Sequence, residues 1–480
     1  MPPRSAVHSA ALAAAVAAAT AAVAGFACRS PAAERPQAPP MPAPAAFDPA
    51  VIDAWVGAEV ARRGAVGAAL VVVRGGQTVL ARGYGVRRAG EVRAVDVDTP
   101  FAIGSVSKQF ACAAALTLAD EGKLSMSDRV AKYYPALTGA ADIELADLGG
   151  HVAGYRDYYP LDYVDRRMLA PVAPDALIAQ YAGLPLDFPP RTRYSYSNTG
   201  FVLLARIVER TSGAAYGALL AERFWRPLGM THTTLGRPAA DAATGHEAFL
   251  LEDPAPAAVE SDGWLFGAAD IWASARDLAR WDVALAEGSV LSEAARRAMA
   301  TPRVTAGGRS TGYGCGLGAR QLAGEAVLSH TGWVGGFVAY NAVVPRTRTA
   351  VVLLVNDQHV DLGDLHDRVL RLALDDPSGI PALATPAAEA ARALVLQLQR
   401  GQIDRAALGE DLDAYFDARR VAAAAPKLRA LGEPRVTLVS RAERGGMEIT
   451  HLSIAFPKRT VSATMFRDAG GKIRQLLMQP

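Results

Sequence analysis

Apolar residues recur with helical spacing over residues 48–63, where Val51, Ile52, Trp55, Val56 and Val60 share one face. Residues 67–73 are continuously apolar and β-branched, residues 78–84 form a second strand-like run, and Gly75-Gly76 between them supplies a hairpin turn. An Ala-rich apolar run over 111–120 predicts a helix that stops at Glu121-Gly122. From residue 143 to about 299 the pattern is mainly helices joined by long loops, clearest at 203–210 and 275–285. Strand character returns at 326–329, 336–344 and 349–356. Hairpin, helix, helical insertion and antiparallel meander in that order predict an α/β (α+β) fold. In it, strands distant in sequence complete one antiparallel sheet flanked by helices.

Asp-Pro, Ser-Gly and two further prolines within 376–386 mark a boundary. Beyond it, 387–399 and 403–415 read as amphipathic helices, and 435–440, 447–456, 461–466 and 472–477 as strands. Residues 386–480 are therefore expected to form a separate C-terminal α+β domain. Its element order loosely resembles cystatin-like or nuclear-transport-factor-2-like domains.

Composition adds a destination. Arg4 precedes a charge-free apolar stretch over 10–27, and Ala22-Val-Ala24 offers small residues for a signal peptidase. Residues 1–27 read as a signal peptide, so the protein is expected to be exported to the periplasm. Cys28 after Gly25-Phe-Ala27 is the candidate for lipid attachment to a membrane. Residues 28–47 form a Pro/Ala-rich linker. Residues 1–44 carry three Arg and one Glu, which accounts for the chain's net +2 and leaves the mature protein near neutral. Nothing in that balance suggests a nucleic-acid stripe or a basic membrane-binding patch. The 8 His and 3 Cys show no ligand spacing, so neither metal nor cofactor is expected. Three cysteines make no disulfide framework. Cys112 reads as a small core residue, and Cys315 has no evident partner. Nothing in the sequence fixes an oligomeric state.

Three short patterns carry candidate chemistry. Pro100 and Gly104 resist helix before Ser105, so the helix should open there, with Lys108 one turn on and on the same face. A hydroxyl becomes nucleophilic when a neighbour takes its proton, and a lysine whose pKa is lowered can do so. Arginine cannot. The chain holds 6 Lys against 44 Arg, so a lysine at this place is more than a charge. Ser-x-x-Lys alone is weak, since about 0.25 chance matches are expected in this composition. Tyr196-Ser-Asn198 places a phenol and an amide on a loop before the helix at 203–210. The phenol can relay a proton and the amide can hold a substrate carbonyl, or Asn198 can simply bond its own turn. In His330-Thr331-Gly332, His330 offers a proton or a charge and Gly332 lets a ligand approach the backbone. The plainer alternative is a glycine-rich strand edge with His330 exposed.

Taken together, Ser105-Val-Ser-Lys108, Tyr196-Ser-Asn198 and His330-Thr-Gly332 resemble, in order and spacing, the serine penicillin-recognising enzymes. The branch is that of class C β-lactamases, D-alanyl-D-alanine carboxypeptidases, D-aminopeptidases and β-lactamase-like esterases. The resemblance covers residues 48–375 and extends to Glu121-Gly-Lys-Leu-Ser-Met-Ser-Asp128 and Ser274-Ala-Arg-Asp-Leu-Ala-Arg-Trp281. It implies a β-lactamase/transpeptidase-like fold and a covalent acyl-enzyme on Ser105, with Lys108 and Tyr196 as the base network. Asn198 would position the substrate carbonyl or amide, and His330, Thr331 and Gly332 would line the cleft from the edge strand. The backbone N–H groups of Ser105 and Trp333 would hold the oxyanion. Two positions depart from the family pattern: His330 stands where most β-lactamases have Lys, and His151-Val-Ala-Gly154 where relatives often have His-Thr-Ser-Gly. His151 is expected to be structural.

The expected function is an exported serine hydrolase acting on an amide or ester of a small molecule or peptide. The rival readings are a slowly acylated or non-catalytic sensor, and a C-terminal domain that carries the main function by binding a partner. Within the enzyme reading, a class C-like β-lactamase and a D-amino-acid peptidase both stay open.

Overall fold

The computed structural model describes residues 47–479, apart from 160–163, 239–240, 249–252, 377–385, 445–446, 458 and 469. The expected leader, Cys28, most of the linker and the proline-marked boundary lie outside the described residues.

Helix α1 (Pro49–Arg63) opens on Asp48, whose carboxylate accepts from the N–H groups of Ala50 and Val51, with Pro49 in the first turn. Strands β1 (Gly67–Arg74) and β2 (Gln77–Gly85) follow as a hairpin. Its two turn residues, Gly75 and Gly76, have φ of 59° and 82°, which a two-residue turn of this hand needs and glycine gives without strain. After the helical insertion come β3 (Gly318–Leu322), β4 (Glu325–Val334), β5 (Phe337–Val344) and β6 (Thr349–Val355). The six strands lie in the order β2-β1-β6-β5-β4-β3, with every neighbouring pair antiparallel. β1 and β6 meet with Leu70 opposite Leu353, so the two ends of the chain segment close the middle of the sheet.

Helices cover both faces, which is why β1 is apolar throughout and does not alternate. Ala69, Val71 and Val73 face a core shared with α2 (Lys108–Asp120), α3 (Asn198–Ser212) and α4 (Ala275–Glu287). Ala68, Leu70 and Val72 face α1 and α5 (Gly363–Ala373). Each Val or Leu so buried contributes about 1.5–3 kcal/mol, as an upper bound. α2 is fixed to its surroundings by more than apolar contact. Trp281 Nε1 donates to Gln109 Oε1 (2.9 Å), Gln109 Nε2 to Asn341 Oδ1 (2.8 Å), and Asn341 Nδ2 to Asp282 Oδ2 (2.7 Å). This buried chain ties α2 to α4 and β5.

One sequence expectation is overturned here. Cys112 and Cys315 form a disulfide, with Cα atoms 5.6 Å apart and a sequence separation of 203. The bond joins α2, one turn beyond Lys108, to the loop before β3. No local spacing announces a pair so far apart.

The C-terminal sheet domain has its own core, including Leu394, Val395, Leu452, Ile454 and Met465. It comprises α6 (Pro386–Arg400), α7 (Glu410–Tyr415), α8 (Ala418–Leu431) and the meander β7 (Arg435–Arg444), β8 (Met447–Phe456), β9 (Arg459–Arg467) and β10 (Ile473–Gln479). The single helix expected over 403–415 is broken into a 3-10 turn at Arg405–Ala407 and α7. α8, with Pro426 inside it, has no counterpart in the sequence reading. Gln399 Nε2 holds α8 to α6 by donating to Leu428 O and Gly432 O. The domain meets the loop between β6 and α5 where His451 Nε2 on β8 lies 2.9 Å from Asp361 Oδ2. Asp361 Oδ1 also accepts from Tyr340 Oη and Gly363 N, both at 2.8 Å. Among the described residues no helix is long and apolar enough to cross a membrane.

Candidate active site

Ser105 stands in a 3-10 turn, Gly104–Ser107, that runs directly into α2. Gly104 has φ 53°, and a Cβ there would come within 2.8 Å of Trp333 N. Opposite it, a Cβ on Gly332 would sit 1.9 Å from Ile103 O and 3.1 Å from Ser105 N. Two glycines thus let the turn and β4 approach backbone to backbone. Val334 pairs with Phe337 across Gly335-Gly336, and pairing alternates from there. The backbone N–H of Trp333 therefore turns away from β5 toward the Ser105 turn.

Lys108 is fully buried beneath the half-buried Ser105. Its Nζ lies 3.0 Å from Ser105 Oγ, 2.7 Å from Asn198 Oδ1 and 2.9 Å from Ala268 O. Burial brings its pKa down to about 7, against the upward pull of the Asp157 and Asp270 carboxylates. Near neutral pH the amine is therefore partly free of its proton. The rings of Tyr196 and Phe201 flank Nζ, with centroids at 4.8 and 5.3 Å.

Tyr196 lies on the segment entering α3, and Asn198 is the first residue of that helix. Both ends of the Asn198 amide are engaged. Oδ1 accepts from Lys108, while Nδ2 lies 3.2 Å from each oxygen of Asp157. The amide thus links Lys108 to Asp157. His151 is buried and packs its ring on Tyr196, with centroids 4.1 Å apart. Its Nδ1 accepts from Ser197 N at 3.1 Å, and burial pushes its pKa well below the usual range. The neutral imidazole thus packs on the Tyr196 ring and holds the backbone of the segment that carries it.

His330 departs from the sequence reading. It is 8% exposed, so the exposed-edge alternative fails. β4 is also not the edge of the sheet, because β3 pairs with it as far as Ser329. Only the stretch beginning at His330 is uncovered, and it faces the Ser105 turn. His330 Nδ1 lies 2.6 Å from Thr331 O, which can only accept, so Nδ1 carries the hydrogen. Nε2 then accepts from Tyr313 Oη at 2.8 Å. Burial, helped by the Lys108 charge, brings the ring's pKa down to about 3. His330 is neutral, with both nitrogens occupied.

The structure brings Ser105, Lys108, Tyr196, Asn198 and His330 together, with the strand stretch Thr331, Gly332 and Trp333 alongside the Ser105 turn. Four contributors escaped the sequence reading: Asp157, Ala268, Asp270 and Tyr313. Ala268 acts through its carbonyl, which no side-chain pattern reveals. Tyr313 is two residues from Cys315, and the missed disulfide hid it. Asp157 left one trace, a lone acid within the aromatic run Tyr155-Arg-Asp-Tyr-Tyr159.

An antiparallel sheet covered by helices on both faces, with a serine-lysine pair at the foot of a buried helix, defines a β-lactamase/transpeptidase-like fold. Residues 52–375 match the Beta-lactamase family, and the chain belongs to it. A D-aminopeptidase of Brucella ovis is 28% identical over 324 residues, covering 66% of this chain and 60% of that protein's length. The octameric penicillin-binding protein homologue from Pyrococcus abyssi superposes with TM-score 0.63 at 21% identity, covering 87% of this chain and 90% of that one. The D-amino acid amidase from Ochrobactrum anthropi SV3, solved with L-phenylalanine amide, gives TM-score 0.58 at 22% identity, covering 68% and 98%. The last two are likenesses of fold.

Proposed function

We propose that this protein is an exported serine hydrolase that opens an amide or ester through an acyl-enzyme on Ser105, with short D-amino-acid amides or peptides as its substrate class. The observation that carries the reading is a fully buried Lys108, its pKa near neutrality, 3.0 Å from Ser105 Oγ. Ser105 Oγ passes its proton to Lys108 Nζ and attacks the carbonyl carbon. The oxyanion forms against the N–H groups of Ser105 and Trp333. The proton then returns through Lys108 and Tyr196 to the leaving amine or alcohol. Water attacks the ester, its proton follows the same path, and Ser105 is restored.

The substrate class rests on chemistry and on likeness. His330 gives a substrate carboxylate neither charge nor a free N–H, which disfavours β-lactams and C-terminal carboxylates. An amino-acid amide, with its free amino group on the acyl part and no carboxylate on the leaving side, needs neither. The relative in Brucella bears the name D-aminopeptidase, and the Ochrobactrum neighbour that of D-amino acid amidase. Export is supported by the Cys112–Cys315 disulfide, since such bonds persist in oxidising compartments.

The test is kcat/KM for matched D- and L-alanine nitroanilides, an uncharged nitrophenyl ester and a chromogenic cephalosporin, with Ser105→Ala as control. Preference for the D-anilide over the L-form and over the cephalosporin, abolished in Ser105→Ala, is the expected result. Turnover that survives Ser105→Ala sinks the mechanism, and a cephalosporin preference sinks the substrate class. A single acylation without turnover points to the sensor reading.

A further inference from the structure

Asp157 lies on the loop ahead of the segment 160–163, and no motif points to it. Its Oδ1 accepts from the backbone N–H groups of Asn198 and Tyr159, each at 3.1 Å. Asn198 Nδ2 lies 3.2 Å from both Oδ1 and Oδ2. Burial raises the Asp157 pKa, but the Tyr159 and Asn198 N–H donors and the Lys108 charge favour its ionised form. A carboxylate has only lone pairs to offer, so the amide turns its NH2 toward it. That choice leaves Asn198 Oδ1 facing Lys108 Nζ at 2.7 Å.

The orientation has a consequence one bond further on. Ala268 O, at 2.9 Å from Nζ, can also only accept. A neutral amine has two hydrogens and one lone pair. With both hydrogens drawn to Asn198 Oδ1 and Ala268 O, the lone pair is left for Ser105, whose hydroxyl, unlike those two carbonyl oxygens, has a proton to give. Were the amide reversed, its NH2 would draw the lone pair to itself and turn an N–H toward the serine. Lys108 would then be no base for Ser105.

We propose that Asp157 is a positioning residue of the proton path: by fixing the Asn198 amide, it directs the Lys108 lone pair at Ser105. The inference rests on the serine-hydrolase reading above and assigns a role within it. Asp157 also acts by its charge. The titratable groups around Lys108 are Asp157 and Asp270, whose pKa values burial raises, that of Asp270 to about 7, with the neutral imidazoles of His151 and His330 and the phenol of Tyr196. The two carboxylates hold the amine's pKa up against burial. Removing one lets Lys108 lose its proton at lower pH, so the acid limb of the rate profile moves down even as the rate falls.

The experiment measures kcat, KM and the pH profile of kcat/KM for Asp157→Ala and Asp157→Asn with an uncharged nitrophenyl ester. Each is made in the wild-type and the Asn198→Ala background, with Ser105→Ala beside them. Asp157→Ala should lower kcat about 10- to 100-fold and leave KM within about threefold, as misplacement of a catalytic group does. In the Asn198→Ala background the same change should cost less than about threefold, because the residue through which it acts is gone. Asp157→Asn has nearly the same shape, so it keeps the test in hand should the alanine variant fold poorly. Its acid limb should lie at lower pH than that of wild type. Equal losses in both backgrounds, or an acid limb that stays in place, overturn the proposal while leaving the hydrolase reading standing. Residual turnover in Ser105→Ala overturns the hydrolase reading instead.

Discussion

Lys108 and His451 are both basic side chains set into the protein, and their surroundings drive them in opposite directions. Nζ of Lys108 touches neutral oxygens, those of Ser105, Asn198 and Ala268, while Asp157 and Asp270 act from behind its neighbours. Burial prevails there and the pKa falls to about 7. His451 is also opposed by burial, but it touches Asp361 at 2.9 Å, and its pKa rises above the usual 6.5. A carboxylate in contact fastens a proton. A carboxylate one group away offsets part of the burial and leaves the proton free to move. The first arrangement suits a junction between two packed units, the second a base.

The largest test removes the mobility itself. Lys108→Arg keeps a cation but no proton that can leave at accessible pH. Its kcat should fall by about a thousandfold or more, nearly as far as Lys108→Ala and Ser105→Ala. If Lys108→Arg keeps more than about a tenth of the wild-type rate, the residue supplies only charge and the comparison collapses.

A subtler change converts the site into the junction. The paired exchange Asp157→Asn with Asn198→Asp keeps the charge count but places a carboxylate against Nζ. An opposite charge in contact raises the lysine's affinity for its proton, so the acid limb should move up by about 1–3 pH units. At pH 7, kcat/KM should fall about 10- to 100-fold and recover in part at higher pH. A loss that is constant across pH contradicts the electrostatic account.

The two regions also differ in covalent support. The Cys112–Cys315 bond ties the helix that carries Lys108 to the loop that carries Tyr313. The double variant Cys112→Ser/Cys315→Ser should lose about 2–4 kcal/mol of stability, read from urea unfolding. Addition of a thiol reductant should lower the wild-type midpoint and leave the variant's unchanged. Equal midpoints for oxidised wild type and variant remove the disulfide from the account.

What was legible in the sequence follows the range of each interaction. The hairpin at Gly75-Gly76, the helix after Ser105 and the three site motifs are written in neighbouring residues, and the sheet built on residues 67–73 was foreseen because a strand buried on both faces reads as an unbroken apolar run. The Cys112–Cys315 pair, the Ala268 carbonyl and the bonding of His330 to Tyr313 depend on which distant segments meet, and the sequence is silent on that. His330 shows the limit most clearly. Its motif placed it at the cleft, but its charge state was set by burial and by a tyrosine on another loop. Asp157 lies between these cases: visible as a lone acid among aromatics, yet without a role until Asn198 stands beside it.

The smallest expected effect lies at the junction, and its sign can be worked out. His451 faces Asp361 directly, with Asp364 adding to the pull and Thr464 Oγ1 at 3.2 Å from its Nδ1. Because its folded pKa is raised, its contribution to stability is complete below the unfolded value of 6.5 and fades as pH rises through the folded value. Asp361 is held well below the usual carboxylate range of 3.8, since the contact with His451 and the N–H and O–H donors outweigh its burial. Its contribution is present above 3.8 and fades only as pH falls through its lower folded value. The pair therefore acts fully between about pH 4 and 6.5. His451→Ala should cost about 1–2 kcal/mol at pH 5.5 and less at pH 9, read as unfolding midpoints. Its kcat/KM at pH 7 should stay within about twofold of wild type, since the junction fastens and takes no part in proton transfer. A gap of equal size at both pH values assigns the loss to packing. A large fall in kcat/KM with the fold intact makes the C-terminal domain part of the active site.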